Sequence, residues 1–325
     1  MLKIDRVMHC GIMVNYKCTA ACRHCLYSCS PTRTGGYITE ETTESVAVLL
    51  RSVGCRSIHI GGGEPFIDFD GLVNHVRILT DSGISVEYIE TNAYWATDAE
   101  LCKKRLQELL RAGADTLCIS VDPYHAEYVP LERPLSLAKI CNNIGFGFFL
   151  WQDRFLPMMS RLDKSKKHTR VEMEELISPR YIIETARSYG IGYGGRAIGI
   201  EEEYFACKPV ADIIENNPCR KLLSGGHFHI DVHGNYIPPG CTGFTIPLSE
   251  IFSGVPDGKY PVFETLLTGG LKSLYEYAKT KGFKANAEGY PSGCTFCFHI
   301  RHWLCENAPS PELDHEHYIE SLKYW

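Results

Sequence analysis

The stretch Cys18-Thr19-Ala20-Ala21-Cys22-Arg23-His24-Cys25 follows shortly after an apolar segment, residues 7–14, that is typical of a β-strand. Three thiolates at this spacing can surround a four-iron cluster and leave one iron open, which a reactive metal site requires. Parallel α/β sheets place their chemistry at the carboxyl ends of strands, and this loop would lie at such an end. A zinc site is the alternative, although zinc sites more often use two separated Cys-x-x-Cys pairs.

Apolar and amphipathic segments alternate over the first two thirds of the chain. The pattern predicts strands at residues 7–14, 56–60, 84–90, 116–121, 146–151 and 191–198. It predicts helices at residues 39–53, 70–82, 98–112, 135–144 and 171–189, the last one interrupted by Pro179. Such alternation is typical of a parallel sheet with helices outside it. We therefore predict an α/β fold with a partial (β/α)6 barrel in residues 1–205, since six units are too few for a closed eight-unit barrel.

The remaining residues, 206–325, are richer in Gly, Pro and Cys and predict a second, α+β cysteine-rich domain. Residues 227–238 alternate around Gly234-Asn235, which predicts a hairpin. The alternation places the histidines of this segment on one strand face, where we expect solvent exposure or substrate contact rather than metal binding. These histidines are His227, His229 and His233. Four late cysteines could complete a closed metal site, with zinc as the alternative to iron–sulfur. They are Cys219, Cys241, Cys294 and Cys297.

Composition narrows the class of protein. The chain has 325 residues, 44% of them hydrophobic and 22% charged, which are ordinary values for a globular protein. A net charge of −6 argues against an electrostatically driven nucleic-acid or membrane binder, and no apolar run has the length of a membrane span. The first residues lack an apolar signal core, so we expect a cytoplasmic protein. Fifteen cysteines, an odd number, then indicate metal ligation rather than a disulfide framework.

The cysteine triplet is followed, after the second predicted strand, by Gly62-Gly63-Glu64-Pro65. Together the two motifs resemble the radical S-adenosylmethionine (SAM) superfamily. The resemblance implies that Cys18, Cys22 and Cys25 hold a [4Fe-4S] cluster whose fourth iron is chelated by SAM. Polar residues at later strand ends also match the family, and the resemblance extends over about residues 7–200. It implies that SAM is bound by Gly62, Gly63, Glu64, Pro65, Thr91, Asn92, Ser120, Asp122 and Arg196.

The late cysteines, with the hairpin between the first two of them, resemble the twitch extension of the SPASM group of radical SAM enzymes. The resemblance implies an auxiliary [4Fe-4S] cluster on Cys219, Cys241, Cys294 and Cys297. The full SPASM pattern has seven cysteines and two auxiliary clusters. Here only Cys305 follows the Cys-x-x-Cys pair, so one auxiliary cluster is expected.

The resemblance further implies an oxidoreductase that accepts an electron from a reductase, a flavodoxin or a ferredoxin. The electron cleaves SAM to a 5′-deoxyadenosyl radical, which removes a hydrogen atom from the substrate. Residues 91–95 and 121–128 are similar to segments of peptide-modifying members, so we expect epimerisation, cross-linking or thioether formation in a ribosomal peptide. Cys207, Cys305 and His125 are the candidate catalytic residues. The alternatives are a radical dehydrogenase of a small polar molecule, such as an amino-sugar alcohol, and a non-catalytic metal-binding scaffold.

Overall fold

The computed structural model describes residues 3–214 and 217–324. The strands in these residues are β1 Cys10–Met13, β2 Ser57–Gly61, β3 Ser85–Thr91, β4 Thr116–Ser120, β5 Gly147–Trp151, β6 Phe228–Ile230, β7 Asn235–Ile237 and β8 Ile246–Pro247. The α-helices are α1 Glu40–Ser52, α2 Phe69–Asp81, α3 Ala99–Ala112, α4 Pro123–Ala126, α5 Glu132–Ile144, α6 Arg170–Leu176, α7 Tyr181–Tyr189, α8 Ile198–Tyr204, α9 Val210–Ile213, α10 Leu248–Ser253, α11 Pro261–Thr280, α12 Gly293–Asn307 and α13 His315–Leu322.

All eight strands belong to one sheet, in the order β5-β4-β3-β2-β1-β6-β7-β8. Strands β1 to β5 are parallel neighbours in sequence order, and β6 runs parallel to β1 on its other side. The hairpin β6–β7 and the short β8 are antiparallel. Because the five N-terminal strands are parallel, their carboxyl ends lie along one edge of the sheet, and the loops that follow them meet there.

Local signals explain the helices that cover this sheet. The side chain of Thr39 accepts a hydrogen bond from Thr42 N at the start of α1, and Asp98 caps α3 in the same way. Helices α3 and α5 end at glycines in the left-handed conformation, Gly113 and Gly145. On β2 Ile58 and Ile60 point to one face of the sheet and are fully buried, whereas His59 between them points to the other face. The opposite face of the sheet therefore remains for polar side chains.

The α/β class and the parallel sheet are confirmed, and each of the first five predicted strands matches an observed one. The sixth, expected at residues 191–198, is wrong. Gly195–Ala197 is a 3-10 turn and α8 begins at Ile198. The reason lies in Gly195, whose φ is +53° and whose Cα packs so closely on the cysteine loop that a Cβ would be 2.0 Å from Leu26 O. A regular strand could not make this contact.

The hairpin of the cysteine-rich region takes a place in the sheet instead, since β6 pairs with β1. Residues 206–325 thus share the sheet with the preceding region, and the boundary after residue 205 stays a prediction. None of the helices in residues 3–214 and 217–324 is long and apolar enough to cross a bilayer.

Candidate metal and cofactor site

The loop after β1 packs against the glycine-rich loop after β2. Gly63 N donates to Asn15 O over 2.8 Å, and Glu64 N donates to Lys17 O over 3.0 Å. The Asn15 side chain accepts from Gly63 N and donates to Glu64 O, both over 3.0 Å. A Cβ on Gly63 would lie 2.2 Å from Lys17 O. The glycine at this position is therefore required for the backbone of the two loops to meet.

The three loop cysteines lie where these backbone contacts hold the chain. Cys18 and Cys22 are buried and Cys25 is half-buried. Backbone amides point at two of the sulfurs, since Ala20 N donates to Cys18 Sγ and Cys29 N to Cys25 Sγ, each over 3.4 Å. The Cys29 thiol, followed by the Arg196 charge, lowers the pKa of Cys25, while burial raises those of Cys18 and Cys22. Donors aimed at sulfur are suited to bound thiolates.

Glu64 connects the end of β2 to the end of β3. Its carboxylate accepts hydrogen bonds from Thr91 Oγ1 over 2.8 Å and from Asn92 N over 2.7 Å. Phe66 N is a third donor, at 3.2 Å. The side chain is fully buried, and burial raises its pKa to about 7 against the opposing effect of these hydrogen bonds. The structure thus gives Glu64 and Thr91 partners in the protein itself.

Asn92 reaches from β3 to the cysteine loop. Its Nδ2 lies 3.6 Å from Cys18 Sγ and donates to Thr19 Oγ1 over 3.1 Å. Asn92 also lines a cavity together with Ser120, Asp122 and His125, which come from the end of β4 and the start of α4. Four of the residues predicted from the sequence are therefore brought together beside the cysteine loop.

His125 and Asp122 form a buried pair that contacts this loop. His125 Nδ1 lies 2.7 Å from Asp122 Oδ2, and His125 also hydrogen bonds to the Cys22 thiol. Burial alone would lower the pKa of His125, but the Asp122 carboxylate and Cys22 raise it well above its usual range. The His24 ring stacks on Tyr124 at 4.6 Å, and burial lowers the pKa of His24 to about 4. His24 Nδ1 is buried and has no hydrogen-bond partner among the described residues.

Arg196 holds the cysteine loop from the other side. Its guanidinium donates to Cys22 O and Cys29 O, each over 2.9 Å, and its backbone N donates to Cys25 O over 3.1 Å. The side chain is fully buried. These contacts are with the backbone of the loop, so the structure shows Arg196 shaping the loop that carries the cysteines.

The four late cysteines also come together. Cys294 and Cys297 lie in the first turns of α12, Cys219 precedes a 3-10 turn at Arg220–Leu222, and Cys241 follows β7. Burial raises the pKa of Cys297 to about 12, and the other three thiols add to the rise. The buried Arg301 guanidinium opposes it and donates to Thr242 O over 2.7 Å. A buried cation beside several thiolates compensates part of their charge.

The distances between the cysteine sulfurs bear on which metal group each set could bind. Among the described residues, ligand atoms lie within 4.8 Å of one another in two groups, His59-His227-His229 and His24-Asp122-His125. Neither cysteine set is that tight. Four sulfurs bound to one zinc at about 2.3 Å would lie about 3.8 Å apart. Binding of one zinc ion by all the cysteines of either set would therefore require the sulfurs to move closer together.

A hydrogen bond joins the two cysteine loops. Thr242, which follows Cys241, donates from Oγ1 to Leu26 O over 3.0 Å, and Leu26 follows Cys25. The same hydroxyl lies 3.0 Å from Nε2 of the buried His317 on α13. Only two peptide units and one hydrogen bond therefore separate one cysteine set from the other.

Cys207 and Cys305 are placed differently from each other. Cys207 is exposed between α8 and α9. Cys305 is buried on α12 with its thiol 4.0 Å from Leu313 O, eight residues and about 12 Å along the helix from Cys297. Their roles, like the SAM contacts of the other residues, stay predictions.

Sequence reasoning missed Asn15, His24, Thr242 and Arg301. A polar residue just after a buried strand was a usable signal for Asn15, since β1 leads directly into the cysteine loop. The other three depend on contacts between distant segments, such as Leu26 with Thr242. No local pattern encodes these contacts.

Comparison with known proteins gives a family match for part of the chain. Residues 12–146 match the model of the radical SAM superfamily. The putative peptide biosynthesis protein YydG of Bacillus subtilis (strain 168) is 28% identical over 119 residues. That segment covers 37% of this chain and 37% of YydG.

Solved structures show weaker likenesses. Streptococcus suis SuiB bound to the precursor peptide SuiA has a TM-score of 0.47 at 15% identity, over 90% of this chain and 76% of SuiB. BtrN in complex with AdoMet and 2-DOIA has a TM-score of 0.45 at 16% identity, over 84% of this chain and 91% of BtrN. TM-scores below 0.5 are too low to transfer a function.

Proposed function

We propose, from the premise that residues 12–146 are a radical SAM domain, that this chain is an enzyme that modifies a peptide by radical chemistry. The observation that carries the proposal is the contact of Cys18 with Asn92 and of Cys22 with His125, two residues that line a cavity together with Ser120 and Asp122. Three cysteines leave one iron of a four-iron cluster for a ligand, and a small cavity with polar side chains on one part of its otherwise apolar lining lies beside the cysteine loop.

The donor set fits a cluster of this kind. Cys18, Cys22 and Cys25 would hold the [4Fe-4S] cluster, and backbone and side-chain donors already point at the sulfurs of Cys18 and Cys25. Bound there with SAM, the cluster would supply the electron that cleaves SAM and so yields a radical able to remove a hydrogen atom from the substrate. A reductase, flavodoxin or ferredoxin would supply that electron in turn. The chain's own part is to position these groups and exclude water.

Individual residues divide that work. Asn92, Ser120 and Asp122 line the cavity and would contact the polar groups of SAM, since amide, hydroxyl and carboxylate groups can pair with hydroxyls. Gly62, Gly63 and Pro65 shape the loop that faces them. Because the hydrogen bonds of His125 go to Asp122 and Cys22, we assign it a positioning role.

The similarity to YydG supports a peptide substrate, since YydG is described as a putative peptide biosynthesis protein. For Cys219, Cys241, Cys294 and Cys297 we propose an auxiliary [4Fe-4S] cluster. The buried Arg301 and the N-terminal turns of α12 would stabilise four thiolates. This cluster would accept an electron from the substrate radical or orient the substrate.

The test begins with SAM cleavage. Anaerobically reconstituted protein with SAM and dithionite should form 5′-deoxyadenosine, measured by liquid chromatography and mass spectrometry. Cys22→Ala should reduce the rate at least 100-fold, because the cluster loses a ligand. Cys102→Ala, a buried cysteine on α3, is the matched control and should retain the rate. Unchanged cleavage in Cys22→Ala would show that the site is misplaced.

The substrate class needs a second measurement. The reconstituted chain should be incubated with SAM, dithionite and a short peptide encoded next to it in deuterated water, and the peptide then proteolysed in ordinary water and analysed by mass spectrometry. Epimerisation would replace one carbon-bound hydrogen with deuterium, whereas a cross-link or thioether would remove two hydrogens. An unmodified peptide together with active SAM cleavage would contradict the peptide assignment and favour a small polar substrate.

A further inference from the structure

A cluster of histidines occupies the polar face of the sheet, where β2, β1 and β6 are neighbours. Gly11 of β1 is in register with His59 on one side and with His229 on the other. His59 Nε2 and His229 Nε2 lie 3.0 Å apart. His227 is two residues before His229 and thus on the same face, and the ligand atoms of these three histidines all lie within 4.8 Å of one another.

Gly11, on β1 between β2 and β6, allows the rings of His59 and His229 to approach each other. A Cβ on Gly11 would lie 2.3 Å from His59 Nε2 and 2.6 Å from His229 Cδ2. The space above Gly11 is therefore filled by the two imidazoles. Any larger residue at position 11 would push the rings apart, so the glycine is needed for them to meet.

Hydrogen bonds outside the cluster orient His59. His9 Nδ1 lies 3.2 Å from the Glu87 carboxylate, and His9 Nε2 lies 3.1 Å from His59 Nδ1. If His9 donates to Glu87, its Nε2 must accept from His59, which leaves a lone pair on His59 Nε2. A carboxylate that fixes the tautomer of a ligating histidine through its second nitrogen is the usual arrangement around bound metals.

The distances agree with one small ion between the rings. Two nitrogens at about 2.0–2.1 Å from one metal lie about 2.9–3.4 Å apart, depending on the coordination angle. The Glu90 carboxylate is 3.7 Å from His59 Nε2 and could become a fourth ligand. Burial and the neighbouring histidines lower the pKa of His229 to about 3 and that of His59 well below its usual range. Neutral imidazoles are what metal binding requires.

We propose that His59, His227 and His229 bind one divalent transition-metal ion, with Glu90 within reach as a further ligand. The nitrogen and oxygen donors suit zinc or a similar ion and differ from both cysteine sets. Because His227 is exposed, the ion would keep a position open to an outside ligand, such as a carbonyl or carboxylate group of a substrate. This site does not depend on the radical chemistry.

The test uses untagged protein whose iron–sulfur sites have been reconstituted first, so that the cysteines are occupied. The protein is mixed with one equivalent of zinc, desalted, and measured by inductively coupled plasma mass spectrometry and zinc K-edge absorption. We expect about one zinc per chain with nitrogen or oxygen neighbours at about 2.0–2.1 Å. His59→Gln and His229→Gln should lower zinc affinity at least tenfold.

Two further variants keep the result interpretable. His227→Gln removes a proposed ligand and should therefore lower zinc affinity. Because the His227 side chain is exposed, the substitution should not disturb the fold. His233→Gln, exposed on the same hairpin segment and outside the cluster, should bind zinc as the unaltered protein does. Equal zinc in all four variants, no retained zinc, or sulfur neighbours at about 2.3 Å would overturn the proposal.

Discussion

Among single residues, Glu64 links two strand ends of the candidate SAM site through its side chain. One buried carboxylate accepts hydrogen bonds from Thr91, Asn92 and Phe66, and so joins the end of β2 to the end of β3. The motif around Glu64 is visible in the sequence. Its partners are not, because Thr91 lies 27 residues away and the contact depends on the pairing of two strands.

Glu64 should make stability depend on pH. Its pKa rises from 4.5 to about 7 on burial, so the folded chain favours the protonated form. The contribution of Glu64 to stability is then fully present below about pH 4.5 and is lost as the pH rises through about 7. This loss lowers the free energy of unfolding by about 3 kcal/mol. Because Gln does not titrate, this loss of stability with rising pH should disappear in Glu64→Gln. The NH2 group of the amide replaces one accepting carboxylate oxygen, so the variant should be less stable at every pH.

Anaerobic denaturant unfolding between pH 5 and pH 8 measures this difference. Glu90, whose pKa is also raised to about 7 by burial and in part by the Glu64 charge, remains in both proteins, and in Glu64→Gln its own contribution to the pH dependence should shrink as well. Glu100→Gln on the exposed start of α3 is the control and should keep the slope of the original protein. Parallel pH profiles for Glu64→Gln and the original protein would contradict the assignment.

Among the elements, those with local signals were predictable. Thr39 and Asp98 cap helices that begin where expected, and Pro179 lies between α6 and α7 as predicted. The strand expected at residues 191–198 failed because its glycines serve a distant contact, the approach of Gly195 to Leu26. The place of β6 beside β1 was equally hidden, since strand order is not encoded in periodicity.

Thr242, in the loop after Cys241, contacts the loop after Cys25 and helix α13. Removal of its hydroxyl should weaken the contacts between these three segments. In Thr242→Val the methyl group replaces the hydroxyl, so Leu26 O and the buried His317 Nε2 lose a partner. Leaving buried polar groups unpaired costs about 1–3 kcal/mol each. We expect the free energy of unfolding to fall by about 2 kcal/mol, together with faster loss of iron under a chelator, because the loops of Cys25 and Cys241 are no longer joined.

Thr245→Val provides the matched comparison. Its hydroxyl donates to Pro311 O at an exposed position, where water can replace the hydrogen bond. This variant should change unfolding by less than about 0.5 kcal/mol. Equal effects of the two substitutions would mean that the bond between the cysteine loops contributes nothing specific.

At the scale of the whole molecule, the two cysteine sets belong to parts of the chain that pack against each other. The hairpin of the cysteine-rich region is part of the sheet, and α13 contacts the loop after Cys25 through the bonds from Ser28 to Ser321 and from Ser30 to Glu320. Spacing alone predicted both sets from the sequence. It did not predict their mutual approach, which depends on how the last hundred residues pack on the first.

Loss of the second cysteine set should nevertheless leave SAM cleavage at the first set intact. None of the residues lining the cavity beside the first set comes from α12, which carries Cys294 and Cys297. In Cys294→Ala/Cys297→Ala, we therefore expect cleavage of SAM without substrate to continue within about twofold. Iron should fall from about eight to about four per chain, since each [4Fe-4S] cluster contributes four. Formation of modified peptide should stop, because the substrate radical loses its electron acceptor or its docking site.

Structural damage must be separated from this loss, because metal thiolate bonds also stabilise the fold around them. Circular dichroism and iron analysis of the double variant show whether the lobe is intact. The control is Cys207→Ala/Cys102→Ala, which removes one exposed and one buried cysteine outside the two sets and should keep eight irons. If the double variant at Cys294 and Cys297 were folded, held four irons and still modified the peptide at the original rate, the second set would serve structure alone. A loss of SAM cleavage in a folded variant would instead mean that the bond from Thr242 to Leu26 couples the first site to the second.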